Sequence, residues 1–179
     1  MDSETRDGPP RALLIAAVVV AVAAIIAVLV VAVLRQGTPE QLPVAIVSVP
    51  APDADSAECR ALADALPEQL GDYHRAPAAD PAPAGATAWR ATADGEAIIL
   101  RCGLDRPVEF VVGSPLQVVD AVQWFRIADE ERSTWYVVDR PIYVALTLPA
   151  LSGPTPIQEI SRVVAKSLPA KEIDPAPVS

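Results

Sequence analysis

Residues 12–34 constrain this chain more than any other stretch. All 23 are Ala, Val, Leu or Ile, with no charge, hydroxyl, Gly or Pro among them. A helix that is apolar on every side has no face to offer water. At this length it extends roughly 34 Å, enough to cross the hydrocarbon core of a bilayer. Everything C-terminal to it is then expected on one side of a membrane. Arg6 and Arg11 precede the run, and only Arg35 follows closely. That bias predicts a cytoplasmic N-terminus and an extracytoplasmic remainder. A cleaved secretory signal is the competing reading, but its apolar core is shorter and ends at a small-residue site. Val33-Leu34-Arg35-Gln36-Gly37 offers no such site, and no Cys follows directly for lipid attachment. The run is therefore expected to be an uncleaved signal anchor of a single-pass cell-membrane protein. Ala23 and Ala27 have the spacing of a helix-pairing motif. With eight alanines in the run, a plain anchor explains that spacing equally well.

Beyond the anchor the chain is acidic, with 20 Asp and Glu against 12 Lys and Arg. This argues against nucleic acid as a partner and against charge-driven binding to an anionic membrane surface. Arg outnumbers Lys twelve to two, and Asn is absent. The bias resembles high-GC coding, as in actinobacteria, and the lack of Asn removes any N-glycosylation acceptor.

The remainder divides by composition. Residues 1–11 read as a cytoplasmic head and 12–34 as the anchor. Pro39, Pro43, Pro50 and Pro52 mark 35–55 as a stiff linker. Within it residues 44–49 are strand-like, and either join the sheet edge or stay extended. The folded domain is expected over 56–169, with 170–179 a disordered tail. Asp55-Ser56-Ala57-Glu58 resembles a capping box, and Cys59, Leu62 and Leu66 recur at helical spacing. Leu70 is read as continuing that apolar face, and Asp72-Tyr73-His74-Arg75 as a polar turn after it.

Ala93-Asp94-Gly95-Glu96 then signals a hairpin. Its second strand places Ile98, Leu100 and Cys102 on one face and Ile99 and Arg101 on the other. Residues 116–127 read as one long strand, residues 129–132 as a turn, and residues 133–138 as another strand. Ile142, Val144, Leu146 and Leu148 form a period-2 face. A last helix is expected to start at a Thr155 cap followed by Pro156, with Ile157, Ile160, Val164 and Leu168 as its buried stripe. The fold class is α+β: one transmembrane helix, then a small disulfide-linked domain with an antiparallel sheet and two packing helices.

Residues able to carry chemistry are few. Cys59 and Cys102 are the only cysteines. In an oxidising compartment they are expected to form a disulfide rather than remain free buried thiols or serve a redox or metal role. His74 is the sole histidine, and no metal, nucleotide or nucleophile-elbow motif accompanies it. No catalytic residue, metal ligand or cofactor is therefore assigned. Asp129, Glu130 and Glu131 fall where a hairpin turn is expected, so a solvated loop is the simpler account. Trp89, Trp124 and Trp135, with Tyr136 and Tyr143, could line a glycan or peptide groove. Arg101, Arg126 and Arg140 could present an anion-binding face if their strands are neighbours in register. The three Trp and three Arg are the candidates for one ligand-binding face. Cross-strand packing and ion pairing are the plainer roles for the same residues.

Taken in order, the pattern is the Cys59–Leu62 helix, Leu66-Pro67, Leu70, Trp89, Leu100-Arg101-Cys102-Gly103 and Pro107. Trp124, Trp135, Arg140, Pro149 and Leu168-Pro169 follow. It resembles an actinobacterial family of small membrane-anchored or secreted proteins, the domain of unknown function 3515. The resemblance covers residues 59–169, and Arg90 stands where the family pattern expects Gly after Trp89. It implies an envelope location, supports the disulfide, and brings no catalytic residue. The expected function is a non-catalytic interaction or ligand-binding module of the cell envelope. Its expected partner, besides the membrane, is an envelope protein or a cell-wall component. The alternatives are an extracytoplasmic enzyme and an accessory subunit pairing through its span.

Overall fold

The computed structural model describes residues 11–35, 41–129 and 131–178. The head at 1–10, the linker residues 36–40 and Glu130 of the acidic turn lie outside this range. The chain forms two units, Met1–Pro39 and Glu40–Ser179. In the first, α1 (Arg11–Arg35) is one continuous helix. Its stretch Leu13–Val31 is long and apolar enough to cross a membrane, a property shared by spans and by N-terminal signal sequences.

The second unit is built on an eight-stranded antiparallel sheet of order β1-β2-β3-β4-β8-β7-β6-β5. The strands are β1 (Gln69–Leu70), β2 (Tyr73–Ala76), β3 (Ala86–Arg90), β4 (Ala97–Leu104), β5 (Leu116–Val119), β6 (Val122–Ala128), β7 (Arg132–Val137) and β8 (Tyr143–Pro149). Two four-stranded meanders meet where their last strands, β4 and β8, pair at the centre. Helix α2 (Ala57–Ala65) precedes the first meander, and α3 (Thr155–Ser167) follows the second.

Both helices cover one face of the sheet. Period-2 alternation sends Ile98, Leu100, Cys102, Val144, Leu146 and Leu148 into that layer, against Leu62 of α2 and Ile157, Ile160 and Val164 of α3. The predicted faces of β4, β8 and the last helix all hold. Two tryptophans tie the layers together. Trp89 Nε1 donates to the Pro67 carbonyl at the exit of α2, and Trp124 Nε1 donates to Ser161 Oγ on α3, both at 2.9 Å. The Cys59–Cys102 disulfide links α2 to β4, with Cα atoms 5.7 Å apart. Closing the loop between residues 43 apart stabilises the fold by about 4 kcal/mol on the chain-entropy estimate.

Several elements differ from expectation. Leu70 and His74 do not extend or follow a helix; Leu66 ends α2, and both residues lie in the edge pair β1–β2. The N-cap of α2 is Ser56, whose side chain accepts from the Cys59 amide, one residue later than a cap at Asp55. At α3 the cap position is Pro154, and no side chain caps the helix. The single strand read over 116–127 is two strands, β5 and β6, joined by a tight turn at Asp120 and Ala121. Both turn residues have positive φ, 45° and 62°, as a type I′ hairpin turn requires.

The linker and the tail also depart from expectation. Residues 41–50 are laid over the sheet face that the helices leave open. Val44 exchanges backbone hydrogen bonds with Pro77 and Ala79 at 2.8 Å. Val44 and Ile46 are buried with Ala76, Ala88 and Ile99 in a second apolar cluster. Residues 44–49 form no strand, only this one parallel bridge to Ala78. The tail expected to be disordered is likewise tied down. Lys171 N donates to the Asp139 carbonyl, and Ala176 brackets the backbone of Phe110 and Val112, all at 2.9 Å. Proline-rich sequence disfavours helix and central strand, and in both segments the chain instead docks through single bridges.

Candidate functional site

The open face of the sheet is covered at two places. Residues 41–50 lie over β2 to β4, and Phe110 of the loop 105–113 packs on Phe125 of β6, ring centroids 5.4 Å apart. Between them remains a cavity of about 420 Å³ over the centre of the sheet. The register builds its floor. Arg101 of β4 pairs with Ala145 of β8, and Ala145 pairs with Tyr136 of β7. Two residues along, Thr147 of β8 pairs with Thr134 of β7. The walls are Val49 and Pro50 on one side and Leu104 to Val108 on the other.

Arg101 is the centre of this arrangement. It is half-buried and has no carboxylate within ion-pairing distance among the described residues. Its Nη2 makes one long bond, 3.4 Å, to the Val47 carbonyl, and its Nε is buried without a partner. Burial lowers its pKa, and the neighbouring Tyr136 acts in the opposite direction. Burial pushes the Tyr136 phenol up from the ordinary 10.0; Glu109 adds to the rise and Arg101 opposes it. The Thr134 and Thr147 hydroxyls share one hydrogen bond of 3.1 Å. Arg106, at the rim, is engaged by Asp174 of the tail at 3.2 Å, and Asp105 is exposed beside it. The floor thus combines a cation with spare donors, two hydroxyls and a protonated phenol.

The six residues read as candidates for one ligand-binding face do not share a face. Trp89 and Trp124 are fully buried in the helix-covered layer, where their indole N–H groups are already bonded. Arg140 is buried too. It pairs with Asp139 at 2.9 Å and donates to the Ala121 carbonyl at 3.0 Å, bracing the β5–β6 turn from inside. Trp135 and Arg126 lie opposite one another on β7 and β6, with the guanidinium 5.3 Å from the ring centroid. They occupy the helix side of the sheet, and Trp135 lines a smaller cavity at the start of α3. Only Arg101 reaches the cavity on the open face.

Thr134 and Thr147 were not singled out from sequence, and Tyr136 reads there only as an aromatic beside Trp135, with no link to Arg101. The one available signal was that Thr134 and Tyr136 alternate with Trp135 along β7, as Arg101 alternates with Cys102 along β4. Asp129 accepts from the Glu131 and Arg132 amides, which lowers its pKa, and so shapes the β6–β7 turn as expected of a loop carboxylate. His74 lies half-buried on β2 opposite Arg90. Among the described residues no three His, Cys, Asp or Glu side chains converge.

The structure gives each residue of the Arg101-Cys102-Gly103 motif a separate task. Arg101 floors the cavity and Cys102 holds α2. Gly103, at φ +84°, forms the irregularity where the β4–β8 register shifts. A Cβ there would overlap the Asp53–Ala54 peptide, which is held close because the Asp53 N–H, one peptide earlier, donates to the Gly103 carbonyl at 3.1 Å. Arg90 ends β3 by donating to the Leu42 and Ala93 carbonyls at 3.1 and 3.0 Å, so its side chain helps dock the incoming segment. No curated protein and no solved structure matches the chain significantly. The family model described as Protein of unknown function (DUF3515) matches residues 18–173, from within α1 to the docked tail. With that match over most of its length, the chain belongs to the DUF3515 family.

Proposed function

We propose that this protein is a membrane-anchored, extracytoplasmic binding module of an actinobacterial cell envelope, non-catalytic, with the open-face cavity as its ligand seat. The observation that carries the reading is Arg101: a half-buried cation without a carboxylate partner, on the floor of a preformed cavity at the centre of a rigid sheet. Sites built on strands hold their groups more precisely than sites built on loops. A cavity of this size is within the range of small-molecule sites. The apolar helix α1, the arginine bias around it and the disulfide support anchoring on the outer side.

The test is complementation of a deletion strain with full-length variants. Arg101→Gln on the cavity floor and Val108→Trp at its exposed wall are expected to lose function while keeping the wild-type melting temperature. Arg126→Gln, on the other face, is expected to restore it. Protease added to intact cells is expected to remove the domain. Restoration by all three variants would exclude the cavity as the seat, and a protected domain would exclude the outside location.

A further inference from the structure

We infer that the cavity takes a ligand bearing an oxyanion, a carboxylate or a phosphate, on a small and partly apolar body, with the oxyanion seated on Arg101. The inference rests on the binding-module reading and names its ligand class. A guanidinium carries five N–H donors in a planar fork matched to carboxylate and phosphate oxygens. Here one donor makes a long bond to Val47, and the buried Nε makes none. An unpaired buried donor is unfavourable unless a partner arrives. The chain carries 23 acidic residues, yet among the described residues none is paired with this guanidinium, while Arg75, Arg106, Arg132, Arg140 and Arg162 each have one. Arg60, Arg90 and Arg126 also have none, but none of these three lines the cavity, and Arg90 is held by two backbone carbonyls. Partial burial lowers the local dielectric, which strengthens a charge-assisted hydrogen bond made there.

The neighbours fit the same ligand. Thr134 and Thr147 have two hydroxyl protons and spend one on their mutual bond, so one O–H remains to donate. Tyr136 keeps its proton at neutral pH and adds a second hydroxyl donor. Apart from Asp105 and Arg106 at the rim, the rest of the lining is apolar, including Pro50, Leu104, Val108 and Ala145, which suits a hydrocarbon or ring body beside the charged group. Asp105 lines the rim and makes no ion pair with Arg101.

The experiment uses isotope-labelled full-length protein in detergent micelles, titrated with phenyl phosphate, phenylacetate and the neutral phenylacetamide. Resonances of Arg101, Thr134 and Thr147 are followed by NMR. At least one of the two anions is expected to shift them saturably, and phenylacetamide is expected to bind at least tenfold more weakly. The tighter anion identifies phosphate or carboxylate as the better match. Arg101→Gln is expected to weaken anion binding at least tenfold, and Arg126→Gln to leave it unchanged, both at the wild-type melting temperature. Equal binding of phenylacetamide, or undiminished binding by Arg101→Gln, would overturn the oxyanion inference and leave the cavity reading standing. No shift at these residues with any probe would overturn both.

Discussion

Tyr136 is held between charges of opposite sign, which makes it a reporter of the cavity. Burial raises its pKa above 10.0, Glu109 raises it further, and Arg101 pulls it back. The fold therefore favours the neutral phenol. Its contribution to stability is intact below pH 10 and is lost as the pH rises from there through the folded-state pKa. In a Tyr73→Phe, Tyr143→Phe background, tyrosinate absorbance should titrate above the ordinary phenol range. Arg101→Gln should move the midpoint higher, and Glu109→Gln should move it lower. Shifts of the opposite sign would place the two charges wrongly about the ring. Arg140 shows the contrasting use of the same residue type. Buried with Asp139 at 2.9 Å, it spends its charge inside the protein, where losing one partner of a pair is strongly destabilising. Arg101 lies within β4 and Arg140 in the connection from β7 to β8, and their surroundings separate a cation spent inside the protein from one without a carboxylate partner.

At the scale of elements, the β5–β6 hairpin is the least comfortable connection. Asp120 and Ala121 both occupy the left-handed region, which favours Gly or Asn and costs other residues roughly 1–2 kcal/mol. Ala121 is exposed, so its methyl contributes no packing. Ala121→Gly should therefore stabilise the domain by about 1 kcal/mol, seen as a higher denaturation midpoint with an unchanged slope, whereas Ala121→Val should lower it. The same turn shows why residues 116–127 read as one strand: Asp-Ala carries none of the usual hairpin signal, and apolar alternation runs through it without a break. Where chemistry punctuates the chain, its elements are legible in the sequence. Asp94-Gly95 located the β3–β4 hairpin, Pro149 closed β8, and the stripe from Ile157 to Leu168 oriented α3. Pairing order was not legible, because the β4–β8 contact joins strands about forty residues apart and depends on tertiary packing. The candidate face failed for the same reason. Trp89 and Trp124 look alike from sequence as wall or as core, and only the helices above them decide. Arg101 could be placed on its strand face but not beside Tyr136.

At the scale of the whole molecule, the cavity is shaped by the two ends of the domain chain. Residues 41–50 supply one wall, and the loop 105–113 supplies the other. The tail fastens that loop through Arg106–Asp174 at 3.2 Å, Val112 N to the Ala176 carbonyl, and Ala176 N to the Phe110 carbonyl, both at 2.9 Å. None of these contacts touches the core between sheet and helices, which is closed by the two tryptophans and the disulfide. The shape of the cavity and the closure of the core are thus carried by different parts of the fold. Ending the chain after Glu172 should cost about 1–4 kcal/mol, from two backbone hydrogen bonds, one exposed ion pair and the exposed bonds of Arg106 and Tyr143 to the Asp174 carbonyl. The domain should remain folded. Hydrogen exchange at the Val112 amide, whose acceptor is removed, should accelerate, while amides of β4 and β8 at the sheet centre keep their protection. Affinity for the better anionic probe should fall with the loosened wall. Unchanged exchange at Val112 would mean that the tail is not what holds this side of the cavity in place.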